Sequence, residues 1–240
     1  MDTNSNSSNN YTLIIRILSD GFNFGIYDQN HKIISTKMLN CDIWNYSQAQ
    51  IQDLLCNVEE LKVHYRKVSI TIESDIYTVV PDSFFDTSNA ESFLRMQHPE
   101  LKENAALLFN NLLAWQAVII FAIPLNICNI FKQIIPDVEI EHFLTCFIND
   151  NILKSKKTTV NVFVRAQQVD FVVVKQGILT LLNSFEYKTN EDIIYFILKV
   201  YDSLSLQPEN DNLLIFSEKS IKDLNDFLSE YFDNYKIITL

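Results

Sequence analysis

The residues able to do chemistry are few and widely scattered. Glu139, Glu141 and His142 lie close together. On a helix, Glu139 and His142 would share a face, and a carboxylate beside an imidazole is the beginning of a metal site. No third ligand stands nearby, and the spacing fits a solvated, charge-bearing helix face better. His31, His64 and His98 stand singly in polar stretches or at element ends, with no Ser or Cys beside them in a nucleophile motif. Cys41, Cys56, Cys128 and Cys146 are far apart and form no C-x-x-C pair. They read as reduced thiols instead of a disulfide or zinc framework, with Cys56 and Cys146 packing on apolar helix faces. Trp44, Tyr46 and Trp115 fall near element ends. Aromatic side chains there serve either the core or a partner surface, and the core reading is preferred.

Glycine decides which nucleotide motifs are open to the chain. Only Gly21, Gly25 and Gly177 occur, against the roughly 7% of average usage. Loops that cradle phosphate need converging backbone N–H groups and φ values that glycine reaches cheaply. Neither G-x-x-x-x-G-K nor G-x-G-x-x-G is present. Gly21 and Gly177 each fall between adjacent strands of a meander, as hairpin-turn glycines do.

Thirty acidic and nineteen basic side chains give a net charge of −11. The whole chain is repelled by phosphate backbones, so nucleic acid is not an expected partner. Residues Met1 to Asn10 are nearly all Ser, Asn, Asp and Thr. They have neither the basic start nor the apolar core of a secretory signal and read as a disordered tail. From Asn104 to Phe131 no charged residue occurs and Ala117 to Ile123 is wholly apolar. The interspersed Asn and Gln, with Pro124, suit two buried strands and a helix opening at the proline, not a membrane span. Reduced thiols and no span make a cytoplasmic protein the simplest expectation.

The elements that would position any site repeat. Strand-like runs at Leu13–Leu18, Phe22–Tyr27 and Lys32–Met38 are followed by an amphipathic helix from Ser47 to Val63 and a strand from Val68. After an extended Tyr77–Pro81, Asp86 to Asn89 caps a short helix through Met96, and strands at Ala105–Asn110 and Gln116–Ile123 precede a helix Leu125–Ile135. Val138 to Ile152 reads as a further helix, linking two halves. The program then restarts, with strands at Val160–Arg165, Val169–Lys175 and Ile178–Phe185, helix Glu191–Ser203, strand Leu213–Phe216, a helix and a closing strand. The length admits one domain or two. The duplication favours a tail over 1–10, a first lobe with its linking helix over 11–152, and a second lobe over 153–240.

This order resembles the actin, sugar kinase and heat-shock ATPase superfamily. The residues carrying the likeness are LIIRILSDGFNFGIY, Leu13 to Tyr27, opening one half and VNVFVRAQQVDFVVV, Val160 to Val174, opening the other. More closely, the chain is similar to a bacterial family of uncharacterised proteins with an actin-like ATPase fold. Ala117 to Pro124 looks like a strand of the pilus-assembly branch. The resemblance implies an α/β fold of two ribonuclease H-like lobes, each a three-strand meander with helices and further strands in a mixed sheet.

It also implies a place for ATP, between the lobes. Relatives hold ATP on an acidic, glycine-bearing turn in each lobe and on a glycine-rich adenosine segment late in the second. The first turn here is Ser19-Asp20-Gly21, with the acid adjacent to the glycine instead of two residues before it. Asp20 and Gly21 are therefore the candidate cofactor-binding residues, Asp20 by holding hydrated magnesium. The matching second turn, Arg165-Ala166-Gln167-Gln168, has neither acid nor glycine, and the adenosine position falls on Ile215-Phe216-Ser217-Glu218. The expectation is a chain without ATPase activity, catalytic residue or resident cofactor, which binds a protein partner or itself. A weak magnesium–ATP switch using Asp20 is the alternative. An enzyme for another small ligand is a third reading, for which no nucleophile, base or metal set is visible.

Overall fold

The computed structural model describes residues 10–18, 20–136, 138–152, 156–218 and 221–239. The expected tail lies outside the described residues except for Asn10, as do residues 153–155 where the second lobe is expected to begin. The chain forms two compact units, Met1–Asp150 and Asn151–Leu240.

The first unit opens with an antiparallel meander of β1 (Thr12–Leu18), β2 (Gly21–Tyr27) and β3 (Ile33–Asn40). Leu13, Ile15 and Ile17 alternate along β1 and are buried, the period expected of a strand with one covered face. Helix α1 (Gln48–Cys56) starts at a capping box, in which the Ser47 hydroxyl accepts from the Gln50 N–H while the Gln50 side chain accepts from the Ser47 N–H. It is shorter than the expected Ser47–Val63 helix. Asn57 ends it, Val58 is extended and buried, and Glu59–Lys62 is a separate 3-10 turn. Cys56, the last residue of α1, is exposed, not packed.

β4 (Lys67–Ile72) lies parallel to β1. An inserted layer follows, made of β5 (Tyr77–Pro81), α2 (Ala90–Gln97), β6 (Ala105–Leu112) and β7 (Ala117–Pro124), with strand order β5-β7-β6. β7 is the middle strand and is buried from Ala117 to Ile123. A strand covered on both faces needs no polar alternation, which accounts for the uncharged run. Ala90 and Leu94 of α2 pack on Val118, Ile120 and Ala122 of β7. Pro124 closes β7 and leads into α3 (Leu125–Ile134).

The segment from Val138 corrects the expected linking helix. Ile140–His142 forms β8, paired in parallel with Ile70, Thr71 and Ile72 of β4, and only Phe143–Asn151 is helical, as α4. The completed sheet has the order β3-β2-β1-β4-β8.

The second unit repeats this topology. β9 (Thr159–Val164), β10 (Gln168–Lys175) and β11 (Ile178–Glu186) form the meander, α5 (Asn190–Ser203) follows, β12 (Asn212–Ser217) lies parallel to β9, and after α6 (Lys222–Tyr231) strand β13 (Tyr235–Thr239) lies parallel to β12. Its order, β11-β10-β9-β12-β13, matches that of the first sheet strand for strand. The β10–β11 turn uses Gln176 at φ 54° and Gly177 at φ 82°, the two positive values of a tight hairpin. Among the described residues no helix is long and apolar enough to cross a membrane.

Candidate functional site

The β1–β2 turn carries the expected cofactor residues. Asp20 is exposed and its carbonyl accepts a hydrogen bond from the Cys41 N–H at 3.1 Å. Gly21 has φ +148°, and a Cβ there would stand 2.0 Å from the Leu39 carbonyl oxygen. The close approach of β3 requires glycine at this position whatever the turn binds. Ser19 lies outside the described residues.

The corresponding turn of the second unit is filled by its own side chains. Arg165, directly after β9, donates from Nε to Asp170 Oδ2 at 2.7 Å and from Nη2 to Asp170 Oδ1 at 2.9 Å. The same guanidinium reaches Gln168 Oε1, and the Ser184 hydroxyl donates to Asp170 Oδ1. The Tyr187 hydroxyl donates to the Arg165 carbonyl at 2.6 Å. The Arg165 side chain is 8% exposed and that of Asp170 0%. A planar guanidinium answering a carboxylate in this two-pronged way consumes the charge that a phosphate would seek. At the expected adenosine position Ile215, Phe216 and Ser217 are buried, with Ile215 in the core of the unit.

The first unit contains a cavity of about 510 Å³. Its walls come from four stretches: Trp44 and Asn45, the Glu73–Ile76 turn after β4, residues Leu101, Lys102, Asn104 and Ala105, and Ala122 to Asn126 across the β7–α3 junction. The turn is held firmly. Glu73 N–H donates to the Ile17 carbonyl of β1, Ala122 N–H of β7 donates to the Ile76 carbonyl, and the buried Ser74 hydroxyl donates to the Ala122 carbonyl at 2.6 Å. Trp44 is fixed by its indole N–H on the Leu18 carbonyl at 2.9 Å, and Asn126 by its amide on the Tyr46 carbonyl at 2.7 Å. Glu73 stands 3.7 Å from Arg16. The cavity thus opens where β1 and β4, running parallel, both end, the edge at which open α/β sheets bind ligands. Sequence reasoning named Trp44 only as an aromatic and missed Glu73-Ser74-Asp75, Lys102 and Asn126. The polar tripeptide directly after a β-branched strand was the available sign.

The Glu139–His142 stretch is no helix face. His142 is 1% exposed, with its ring between Tyr77 and Phe121 at 5.0 and 5.2 Å. Leu144 N–H donates to Nδ1, so Nε2 carries the proton and donates to the Ser74 carbonyl at 2.8 Å. The imidazole caps the start of α4 and braces the cavity turn. Asn110 of β6 joins the two sheets by donating to the Ile140 carbonyl while accepting from the His142 N–H at 2.7 Å, as a backbone amide would. Burial pushes the Cys146 thiol up to about 12, with Thr71 Oγ1 at 3.6 Å and Glu141 Oε2 at 3.5 Å, so it is no thiolate nucleophile. His98 is tied to Tyr77 O and Glu100. Among the described residues no three of His, Cys, Asp and Glu gather as a metal site.

Comparison with known proteins agrees with this architecture. A Bacteroides thetaiotaomicron protein with an actin-like ATPase fold and unknown function is 28% identical and superposes at a TM-score of 0.86, over 99% of this chain and 94% of that one. The fold is therefore the actin-like ATPase fold, built here from two units of one topology. PilM, in the PilM–PilN type IV pilus biogenesis complex, shares the fold at 10% identity and a TM-score of 0.54, over 95% of this chain and 88% of that one. None of the curated proteins matches the chain. Residues 2–235 match the family described as protein of unknown function DUF3822, and the chain belongs to that family.

Proposed function

We propose that this protein uses the actin-like fold as a protein-binding module and does not hydrolyse ATP. The observation that carries the reading is the buried Arg165–Asp170 fork in the second unit. It stands where the resemblance puts a phosphate-binding turn, and displacing it would separate two opposite charges inside the protein. A binding role accords with a fold that holds a protein partner elsewhere, since PilM is found in complex with PilN. Heating the protein with and without millimolar magnesium–ATP tests the nucleotide half. A ligand at 100 times its dissociation constant adds about 2.7 kcal/mol, so the expected result is an unchanged midpoint and a clear rise overturns it. Cross-linking in native lysate, together with the mass in solution, tests the binding half. No recurring partner from a strictly monomeric protein sinks it.

One observation favours a second reading, a nucleotide switch. Asp20 is exposed at the β1–β2 turn, open to a hydrated magnesium ion. If nucleotide binds, Asp20→Asn weakens it. Equal binding by that variant removes Asp20 from the role.

A further inference from the structure

We propose that the cavity of the first unit is the docking site for a basic segment of a protein partner, one lysine or arginine side chain of which enters it. The inference rests on the protein-binding reading above and supplies the partner's chemistry.

Charge complementarity selects the occupant. Residues 1–150 contain eighteen acidic and nine basic side chains, a net charge of −9, whereas residues 151–240 contain twelve and ten, a net of −2. Most of the chain's net negative charge, −9 of −11, therefore sits on the unit that holds the cavity. The bias persists at the cavity itself. Glu73 and Asp75 line it, Asp42 immediately precedes the turn bearing Trp44, and Glu100 and Glu103 flank Leu101 and Lys102 in sequence. Lys102 is the single cation among the lining residues, and Arg16 stands beside Glu73. Five carboxylates against two cations favour a positively charged visitor.

The shape of the wall suits a long amphipathic side chain. Ile76, Leu101, Ile123 and Leu125 offer an apolar surface for a methylene stem, and the exposed Asp75 adds a carboxylate to the same wall. The Trp44 ring, held by its bond to Leu18, is a face on which a guanidinium or ammonium can rest. Because Ser74, Trp44 and Asn126 are already fixed by hydrogen bonds, little ordering is left for binding to impose.

The test uses the full chain carrying Trp115→Phe, so that fluorescence comes from Trp44 alone, and blocked decapeptides of alternating leucine and arginine or leucine and glutamate. The arginine peptide is expected to change Trp44 emission saturably, and the glutamate peptide is not. Asp75→Lys should weaken binding about fivefold and Lys102→Glu should tighten it by a similar factor, the size of a surface ion pair. Glu191→Lys makes the same charge change on the second unit and should leave binding unaltered. Asp75, Lys102 and Glu191 are all exposed, so the substitutions remove no core packing. Equal effects of all three would mean diffuse attraction to an acidic protein and overturn the proposal. Arginine amide binding as tightly as the peptide would make the cavity a small-cation site and also overturn it. A cross-linked partner whose capture ignores Asp75→Lys and Lys102→Glu defeats this inference while leaving the protein-binding reading intact.

Discussion

Removing Arg165 should be among the most costly single changes in the second unit. In Arg165→Ala the Asp170 carboxylate, 0% exposed, keeps only the Ser184 hydroxyl of the partners described above and loses both prongs of the guanidinium. Stripping one member from a buried pair costs about 3–5 kcal/mol, because the remaining charge has neither water nor a counterion. Both tryptophans lie in the first unit, so their fluorescence does not follow the second. Amide exchange of the buried strand residues Val162, Phe171 and Val172 does. At 1.36 kcal/mol per factor of ten, the expected loss speeds their exchange roughly 150- to 5000-fold. Asp170→Ala should cost a similar amount, by taking the carboxylate counterion from the buried guanidinium. The double variant should cost less than the two losses together, with a coupling of about 2–3 kcal/mol. An acceleration below about tenfold in Arg165→Ala, with additive losses, would mean that water screens the pair. The turn would then be open to an anion, and the argument against ATP would fail with it.

Three further outcomes follow from the first unit. Gly21→Ala places a methyl group against the Leu39 carbonyl at a φ that side chains rarely adopt, so urea unfolding should show a loss of at least about 1–3 kcal/mol. Asn110→Ala takes the acceptor from the buried His142 N–H and should cost about 1–3 kcal/mol in the same assay, while Asn110→Asp, which keeps the acceptor oxygen, should cost less. Cys146 has a folded-state pKa raised to about 12 by burial, above the usual value of 9.0. Its contribution to stability is whole below pH 9 and is lost as pH rises toward 12, since the unfolded thiol ionises first. The alkaline fall in stability should be smaller in Cys146→Ala, and at pH 8 a thiol reagent should label exposed Cys56 well before Cys146.

How much of this was legible depended on how far apart in the chain the deciding partners lie. The two meanders were readable because each strand pairs with its immediate neighbour, so alternation and turn residues suffice. β7 was readable as a buried strand because Asn110, Gln116 and Pro124 punctuate its apolar run. β8 was not. Ile140, Phe143, Leu144, Phe147 and Ile148 sustain a helical period, and only pairing with β4, about seventy residues earlier, pulls Ile140–His142 into an extended strand. The same long reach hid His142. A lone histidine next to two glutamates looks like surface, yet its ring is closed in by Tyr77 and Phe121 and bonded to Ser74. The cavity was hidden for the same reason, its four walls being drawn from positions 44 to 126. By contrast Arg165 and Asp170 are five residues apart on one hairpin, whose two strands were readable. What the sequence did not disclose was their burial, which depends on Ser184 and Tyr187 closing over them from the far side of the meander. The sequence thus showed a second turn with neither acid nor glycine at its tip, while the side chains that fill it became visible only when the third strand was in place.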